Sequence, residues 1–392
     1  LPPRLGLSMP KPTERVRACD RSKIRVMFDL AEAADRDLIR LEVGEPDFDT
    51  PAHIVDAAAD AARDGQTHYT SNAGLLELRE AIADTLHRDY EIEYDADQFT
   101  VTNGGMEALH LAVLSTVEKG EELLIPSPSW PNYWTQARLA DGVPVEIPMA
   151  EADGYALDAE KVIDRMSEDT GAVVLCSPSN PTGQVYDPEP MRAVVEAAAE
   201  HDAYVIADEV YLGLVYDRDP VGLAALTGHP DHVLTIGSCS KTYAMTGWRV
   251  GWLGGPTELV DEATKIHEST TACAGSVAQH AALAALTGPQ EPVQEMYGAF
   301  AERREYVAER VAEMDGVSCP TPDGAFYAFL NVDLPGSSLD IAKRLLREQD
   351  VVLAPGDGFG TAGEGKLRLS FASSLADLEK GLDGIERAVQ QA

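Results

Sequence analysis

Between residues 99 and 253 the chain alternates short, mostly apolar runs with longer stretches in which apolar residues recur every three or four positions. The runs are 99–102, 122–126, 143–147, 172–176, 204–207, 233–236 and 249–253. Runs so short and so apolar read as strands buried on both faces, and amphipathic helices between them imply a mostly parallel sheet covered on either side. Helical periodicity occupies 106–117 and 189–201, and 263–286 after the last run. The expected fold class is therefore α/β, with a mostly parallel seven-stranded sheet flanked by helices. Ligands on such sheets bind beyond the C-terminal strand ends, so the residues that follow each run are the first candidates for a site.

Outside this region the pattern differs. The chain opens with Pro-rich irregular sequence, followed by an amphipathic helix at 24–34, a short strand at 38–41 and a turn-rich loop from Gly44 to Pro51. Helices are expected at 51–63 and 75–90, with a polar loop headed by Tyr69 between them. After about Gly288 come a helix at 297–314, an apolar stretch at 324–329, a segment at 339–348, two apolar runs at 351–353 and 367–371, and a last helix at 375–389. Helices and strands grouped in this way suggest a smaller α+β domain. The expected division is a large domain over 45–288 and a small one from 1–44 with 289–392.

Ser238-Cys239-Ser240-Lys241 follows the sixth run, with Arg249 eight residues further on. A lysine that condenses with a carbonyl must arrive as free amine, and a neighbouring cation both disfavours the ammonium and can hold a phosphate. The first run leads into Asn103-Gly104-Gly105-Met106 and a helix, which aims backbone N–H groups at an anion. Asp208 and Glu209 end the fifth run, where a carboxylate is either a helix cap or the partner of a cationic ring nitrogen. Asn180, in the tight loop 177–183, sits where it could donate to a ligand oxygen, and Gly44 is either a plain turn glycine or a point of close backbone approach. Arg368 stands between apolar neighbours on a strand, where an unpaired guanidinium is expensive. It is either paired with an acidic residue or reserved for a substrate carboxylate. Cys239 is read as small loop filler, since no histidine lies near it in sequence.

Composition excludes several classes. Lys and Arg number 31 against 66 Asp and Glu, a net charge of −35 spread along the chain, which repels nucleic acid and anionic membranes. Arginine outnumbers lysine, and the even spread of carboxylates reads as adaptation to a salt-rich cytoplasm. Five scattered cysteines with no Cys-x-x-Cys pair argue for reduced thiols and against a zinc site. No apolar run is long enough for a membrane span, which takes about 18 residues, and no signal-peptide pattern opens the chain, so the expected location is cytoplasmic.

Together, Ser177-Pro178-Ser179-Asn180-Pro181-Thr182-Gly183, Asp208-Glu209-Val210-Tyr211, Ser238-x-Ser240-Lys241 and Gly247-Trp248-Arg249 resemble, in order and spacing, the class I and II aminotransferases, fold-type I pyridoxal phosphate enzymes. The subgroup is the one with Gly44-Glu45-Pro46-Asp47-Phe48 near its start. The resemblance implies that Lys241 is the Schiff-base lysine and then the base that moves the substrate α-proton. It implies that Asp208 keeps the pyridine nitrogen protonated, that Asn180 and Tyr211 bond the ring hydroxyl oxygen, and that Trp130 stacks on the ring. Ser238, Arg249 and the turn of Gly104, Gly105 and Met106 would bind the phosphate, with Tyr69 reaching it from the other subunit of a homodimer with shared active sites. Gly44 and Arg368 would meet the substrate α-carboxylate, the latter as a bidentate fork. The implied reaction is ping-pong amino transfer between an L-amino acid and a 2-oxo acid, 2-oxoglutarate serving as acceptor. A lyase, either a carbon-sulfur β-lyase or a cyclising synthase, would share every cofactor contact. A cofactor-sensing regulatory domain is disfavoured, because too little chain precedes Gly44 for a winged helix and the net charge opposes DNA.

One departure from the family bears on substrate choice. Members acting on dicarboxylates often carry a base on the helix after the phosphate-binding glycines, and here residues 107–114 hold no lysine or arginine. His110 is the cationic candidate on that helix and is read as a packed side chain. Met106 replaces a hydrogen-bonding residue common at its position. A neutral or aromatic donor is thus expected rather than aspartate.

The charge reading has a direct consequence for folding. Between about 0.1 M and about 1 M salt the screening length shrinks from about 10 Å to about 3 Å, so the urea midpoint and the activity are expected to rise with salt. Indifference of both to salt would overturn the halophilic reading.

Overall fold

The computed structural model describes residues 11–19 and 21–392, so most of the Pro-rich opening and Asp20 lie outside the described residues. In chain order the strands are β1 Ile39–Arg40, β2 Phe99–Thr102, β3 Glu122–Ser127, β4 Val143–Pro148, β5 Thr170–Cys176, β6 Tyr204–Asp208 and β7 Val233–Ser238. They continue with β8 Gly251–Gly254, β9 Val317–Ser318, β10 Tyr327–Val332, β11 Val351–Val352, β12 Ala354–Pro355 and β13 Lys366–Ser370. The seven expected runs form one sheet in the order β2-β8-β7-β6-β5-β3-β4. Strands β5, β6 and β7 are apolar and almost wholly buried, as strands covered on both faces must be.

Neighbouring strands from β4 to β7 are parallel, but β8 runs against both β2 and β7. Apolar patterning carries no sign of that reversal. Its effect is positional: Gly251 pairs with Thr102 on one side and with Ser238 on the other, so the ends of β2 and β7 and the start of β8 coincide. The packing there admits no side chain at Gly251, whose added Cβ would lie 2.7 Å from Gly105 N and 2.7 Å from Gly237 O. The strand expected from 249 begins at Gly251 instead, because Arg249 is turned into the left-handed region at φ 57°.

The helix expected over 263–286 is two helices, Thr257–Thr270 and Ser276–Thr287. The break falls where Ala272 takes a left-handed φ of 66°, which a continuing helix forbids. Helix Glu291–Glu313 begins before its expected start, with proline in its first turn, where the missing N–H is harmless. Beyond it, β12, β13, β10 and β9 make a second, antiparallel sheet, and β1 pairs in parallel with β11 through Ile39 and Val351. The N-terminal strand thus completes a C-terminal layer. A bidentate contact from Arg303 to Asp47, at 2.6 and 3.0 Å, ties the loop after Gly44 to helix Glu291–Glu313. Among the described residues no helix is long and apolar enough to cross a membrane, no cluster could hold a metal, and all five cysteines are free.

Glycine plays opposite parts at two positions. A Cβ on Gly237 would sit 2.2 Å from the buried Trp252 ring, so Gly237→Ala is expected to lower stability by about 1–3 kcal/mol, read from the urea midpoint at fixed salt. Gly298 lies within helix Glu291–Glu313 with nothing near its Cβ position, and Gly298→Ala is expected to raise stability by about 0.5–1 kcal/mol. Equal effects of the two substitutions would contradict this packing.

Candidate active site

A cavity of about 470 Å³ opens beyond the C-terminal ends of β5, β6 and β7 and is closed on its other side by Arg368 of β13 and Tyr327 of β10. It gathers Gly44, Gly105, Met106, Trp130, Asn180, Asp208, Tyr211, Ser238, Lys241, Arg249 and Arg368, so the sequence candidates from every part of the chain meet in one place. Gly104 adjoins it through Arg249.

Lys241 lies on a single helical turn, Cys239–Thr242, that starts as β7 ends. Ser238 sets that turn by accepting from Ser240 N at 3.1 Å while its hydroxyl reaches Val250 O at 3.0 Å. The Lys241 ammonium donates to the Gly44 carbonyl at 2.7 Å. Burial brings it down to about 8, with Glu45 and Asp208 pulling upward and Arg368 and Arg249 pushing further down. About a tenth of it is then free amine at neutral pH, far more than the ordinary value of 10.5 would leave. Asp208, the last residue of β6, is buried and accepts from the Tyr133 hydroxyl at 2.6 Å. Burial pushes its carboxyl up, against the Tyr133 hydroxyl, the Val210 N–H and Lys241. Among the described residues it has no cation in direct contact, and it would accept one on a ligand.

The anion end is built on the coincidence of strand ends at Gly251. Gly104, with φ 82°, starts helix Gly105–Thr116, and an added Cβ would lie 2.5 Å from Arg249 Nη2. Glycine is required there both for the backbone and for the approach of the guanidinium. Arg249 is fixed by the Thr246 carbonyl at 2.8 Å. Glu107 braces the turn from behind: its carboxylate accepts from Asn103 N at 2.6 Å, Asn103 Nδ2 at 3.0 Å, Thr271 Oγ1 at 2.7 Å and His267 Nδ1 at 3.0 Å. Burial alone would push Glu107 up, but His267, the Asn103 N–H and Thr271 hold it down to about 2.

Arg368 donates to Asn180 Oδ1 at 2.9 Å and to the Glu42 carbonyl at 2.7 Å, and among the described residues it forms no ion pair with a carboxylate, although the buried Glu42 side chain lies near enough to feel its charge. The Nε atom is buried without a partner among the described residues. The group lies over the Tyr327 ring at 4.4 Å and the Phe359 ring at 5.0 Å. A buried cation held by neutral acceptors and aromatic faces, with one donor unused, could receive an anion from outside. Asn180, expected at a ring oxygen, has its own oxygen engaged by Arg368. The Tyr211 hydroxyl meets the Tyr327 hydroxyl at 2.8 Å, and the Gly44 Cβ position lies 2.5 Å from Tyr327 Oη, which explains that glycine.

Other residues singled out in the sequence lie outside this cavity. Tyr69 is 88% exposed and does not line the cavity of its own chain. His110 turns to Gln136 Oε1 at 2.7 Å and is outside the cavity, as a packed helix histidine. Cys239 is fully buried, and burial pushes its thiol up to about 12, which removes it as a nucleophile. Sequence reading missed the site roles of Glu42, Tyr133 and Tyr327, and of Ser22, Ile24, Arg25 and Phe28 on or beside helix Lys23–Glu32. The one available signal was the helix's proximity in sequence to the Gly44 loop.

The residues fit pyridoxal phosphate: a depressed lysine for its aldehyde, a buried carboxylate for its ring nitrogen, a glycine turn with Arg249 for its phosphate, and Trp130 as a wall. Comparison with known proteins points the same way. Residues 36–385 match the family model described as aminotransferase class I and II. The chain is 39% identical over 376 residues to a probable aspartate aminotransferase of Methanocaldococcus jannaschii, covering 94% of this chain and 97% of that one. The structure superposes on Thermus thermophilus aspartate aminotransferase with maleate at a TM-score of 0.92, 34% identity, 97% of this chain and 100% of the other. It superposes on the aromatic aminotransferase of Pyrococcus horikoshii at 0.88, 36% identity, 94% and 99% covered.

Because Lys241 titrates near 8 and not near 10.5, its capture of pyridoxal phosphate by the cofactor-free protein is expected to accelerate as pH rises through about 8 and to level off above. Stopped-flow absorbance from about pH 6 to about pH 11, with Lys241→Ala as the blank, checks it. A midpoint near 10.5 would contradict the burial argument.

Proposed function

The chain belongs to the class I and II aminotransferases, and from that premise we propose that it moves an amino group between an L-amino acid and a 2-oxo acid in two half-reactions, with pyridoxal phosphate as cofactor and 2-oxoglutarate as an acceptor. The observation that carries this reading is the meeting of a depressed lysine, a buried carboxylate and a buried guanidinium with an unused donor in one cavity.

Lys241 would hold the cofactor aldehyde and Asp208 its ring nitrogen. Asn180 and Tyr211 would hold the ring oxygen and Trp130 the ring face. Ser238, Arg249 and the turn of Gly104, Gly105 and Met106 would hold the phosphate. The 88% exposure of Tyr69 supports its service to the phosphate of a partner subunit in a homodimer. When bound, the ring draws electrons from the substrate α-carbon. Lys241, as free amine, would take the proton from the substrate α-carbon and hold it for return, a role its depressed pKa suits. Arg368 and the Gly44 turn orient the substrate by its α-carboxylate, so that the proton in question faces Lys241.

The expectation of a neutral or aromatic donor rested on a helix that offers no base. Relatives named for aspartate favour a dicarboxylic donor instead, and one named for aromatic substrates keeps the apolar class in view.

The test is a panel of donors and acceptors at high salt. Glutamate or aspartate should exchange with 2-oxo acids, Lys241→Ala should abolish exchange, and Asp208→Asn should slow it by at least about a hundredfold. Arg368→Lys should raise KM for every substrate alike, since all share the α-carboxylate. Release of ammonia and pyruvate without an acceptor would overturn the proposal in favour of a lyase.

A further inference from the structure

Among the described residues, four cationic side chains line the cavity: Arg25, Lys241, Arg249 and Arg368. Lys241 serves the amine chemistry, Arg249 the anion turn and Arg368 the α-carboxylate. Arg25 has no part in any of these.

We propose that Arg25 receives the second carboxylate of a dicarboxylic substrate, 2-oxoglutarate and glutamate above all. The proposal rests on the amino-transfer reading of the cavity. It does not require a dicarboxylic donor, because 2-oxoglutarate carries a second carboxylate through the same cavity whichever donor precedes it. In a two-step exchange one mouth must admit both reactants in turn.

The mouth is composed for that double duty. Ile24, Phe28, Met106 and Trp130 give it an apolar wall, and Arg25 is the cation set in that wall. Arg25 belongs to helix Lys23–Glu32, which Lys23 fastens to Asp357 at 2.8 Å. Its guanidinium lies over the Phe28 ring at 4.4 Å, and Arg40 covers the same ring at 4.9 Å. Arg40 in turn is held by Glu32 at 2.9 Å and by Glu42 at 2.6 Å. The stack positions the guanidinium without using its donors. The carboxylate that Arg25 does meet is Asp29, one turn along the helix at 2.9 Å, with side chains 65% and 54% exposed. An exposed pair at that spacing is weak and screened by salt. Arg25 can therefore exchange Asp29 for a carboxylate that enters the cavity, where water is partly excluded and the contact is worth more. With an apolar substrate side chain it stays on Asp29, and the aromatic wall makes the contact. The missing base after Met106 is thereby supplied from a different element, the N-terminal helix.

The experiment uses cofactor-loaded enzyme at fixed salt and two unreactive probes of similar length, glutarate with two carboxylates and butyrate with one. Calorimetric titration should show Arg25→Gln weakening glutarate by about ten- to a hundredfold, the range of one charge-assisted contact, while butyrate changes less than about twofold. Arg25→Lys should recover part of the loss. In kinetics Arg25→Gln should raise KM for 2-oxoglutarate and glutamate and spare alanine and phenylalanine. Glutarate affinity within about twofold of wild type in Arg25→Gln, or equal losses for both probes, would overturn the assignment. Glutarate selectivity in a protein that transfers no amino group would leave Arg25 standing and sink the proposed function, so the two failures read differently.

Discussion

The reversal of β8 governs the anion end of the cavity. A parallel strand would have needed a long crossover after Ser238. The antiparallel return takes the chain from β7 through the Lys241 turn and back within a dozen residues, so that Lys241 and Arg249 flank the same strand end. Because β8 also pairs with β2, the glycine turn after Thr102 arrives at that end as well. The glycines at 104, 237 and 251 are what allow three backbones and a guanidinium to meet there. Thr102 and Ser238, far apart in sequence, come to flank Gly251 through strand register alone, with no side-chain contact needed to recruit them.

Electrostatics then divides the cavity by role. Lys241 is kept short of charge by burial and by two guanidinia, while Asp208 is kept short of a counter-ion by its place inside β6. At short range in a partly dry site these fields are strong and barely screened, in contrast with the many exposed ion pairs on the surface. The acidic exterior and the cationic interior therefore belong to separate problems. The first concerns solubility in salt, and the second decides which anions enter.

Strand existence and the strand-end residues were legible because buried parallel strands are short apolar runs and their ends hold the unusual residues. Lys241, Asp208, Asn180, Arg249 and Arg368 carry a motif or a conspicuous charge, and the structure assembles them. The direction of β8 was not legible, since apolar content is the same either way. Nor was the break at Ala272, a residue type with no preference for its left-handed conformation. The partners of Arg368 come from 188 and 326 residues away, and such contacts leave no local trace. Helix Lys23–Glu32 was visible as a helix, but which cavity its polar face would overlook depends on packing against the C-terminal layer. That is why Arg25 carries no signal in the sequence that would place it at the cavity.

The setting of Arg368 links occupancy to architecture. One guanidinium holds a side chain from the large sheet's loop, a main-chain carbonyl beside β1 and its own strand in the second sheet, and it does so without an ion pair among the described residues. Where a substrate carboxylate arrives there, as proposed, the free energy that binds it would also clamp three distant stretches of chain to one another, so substrate affinity and the cohesion of the two sheets would draw on a common reserve.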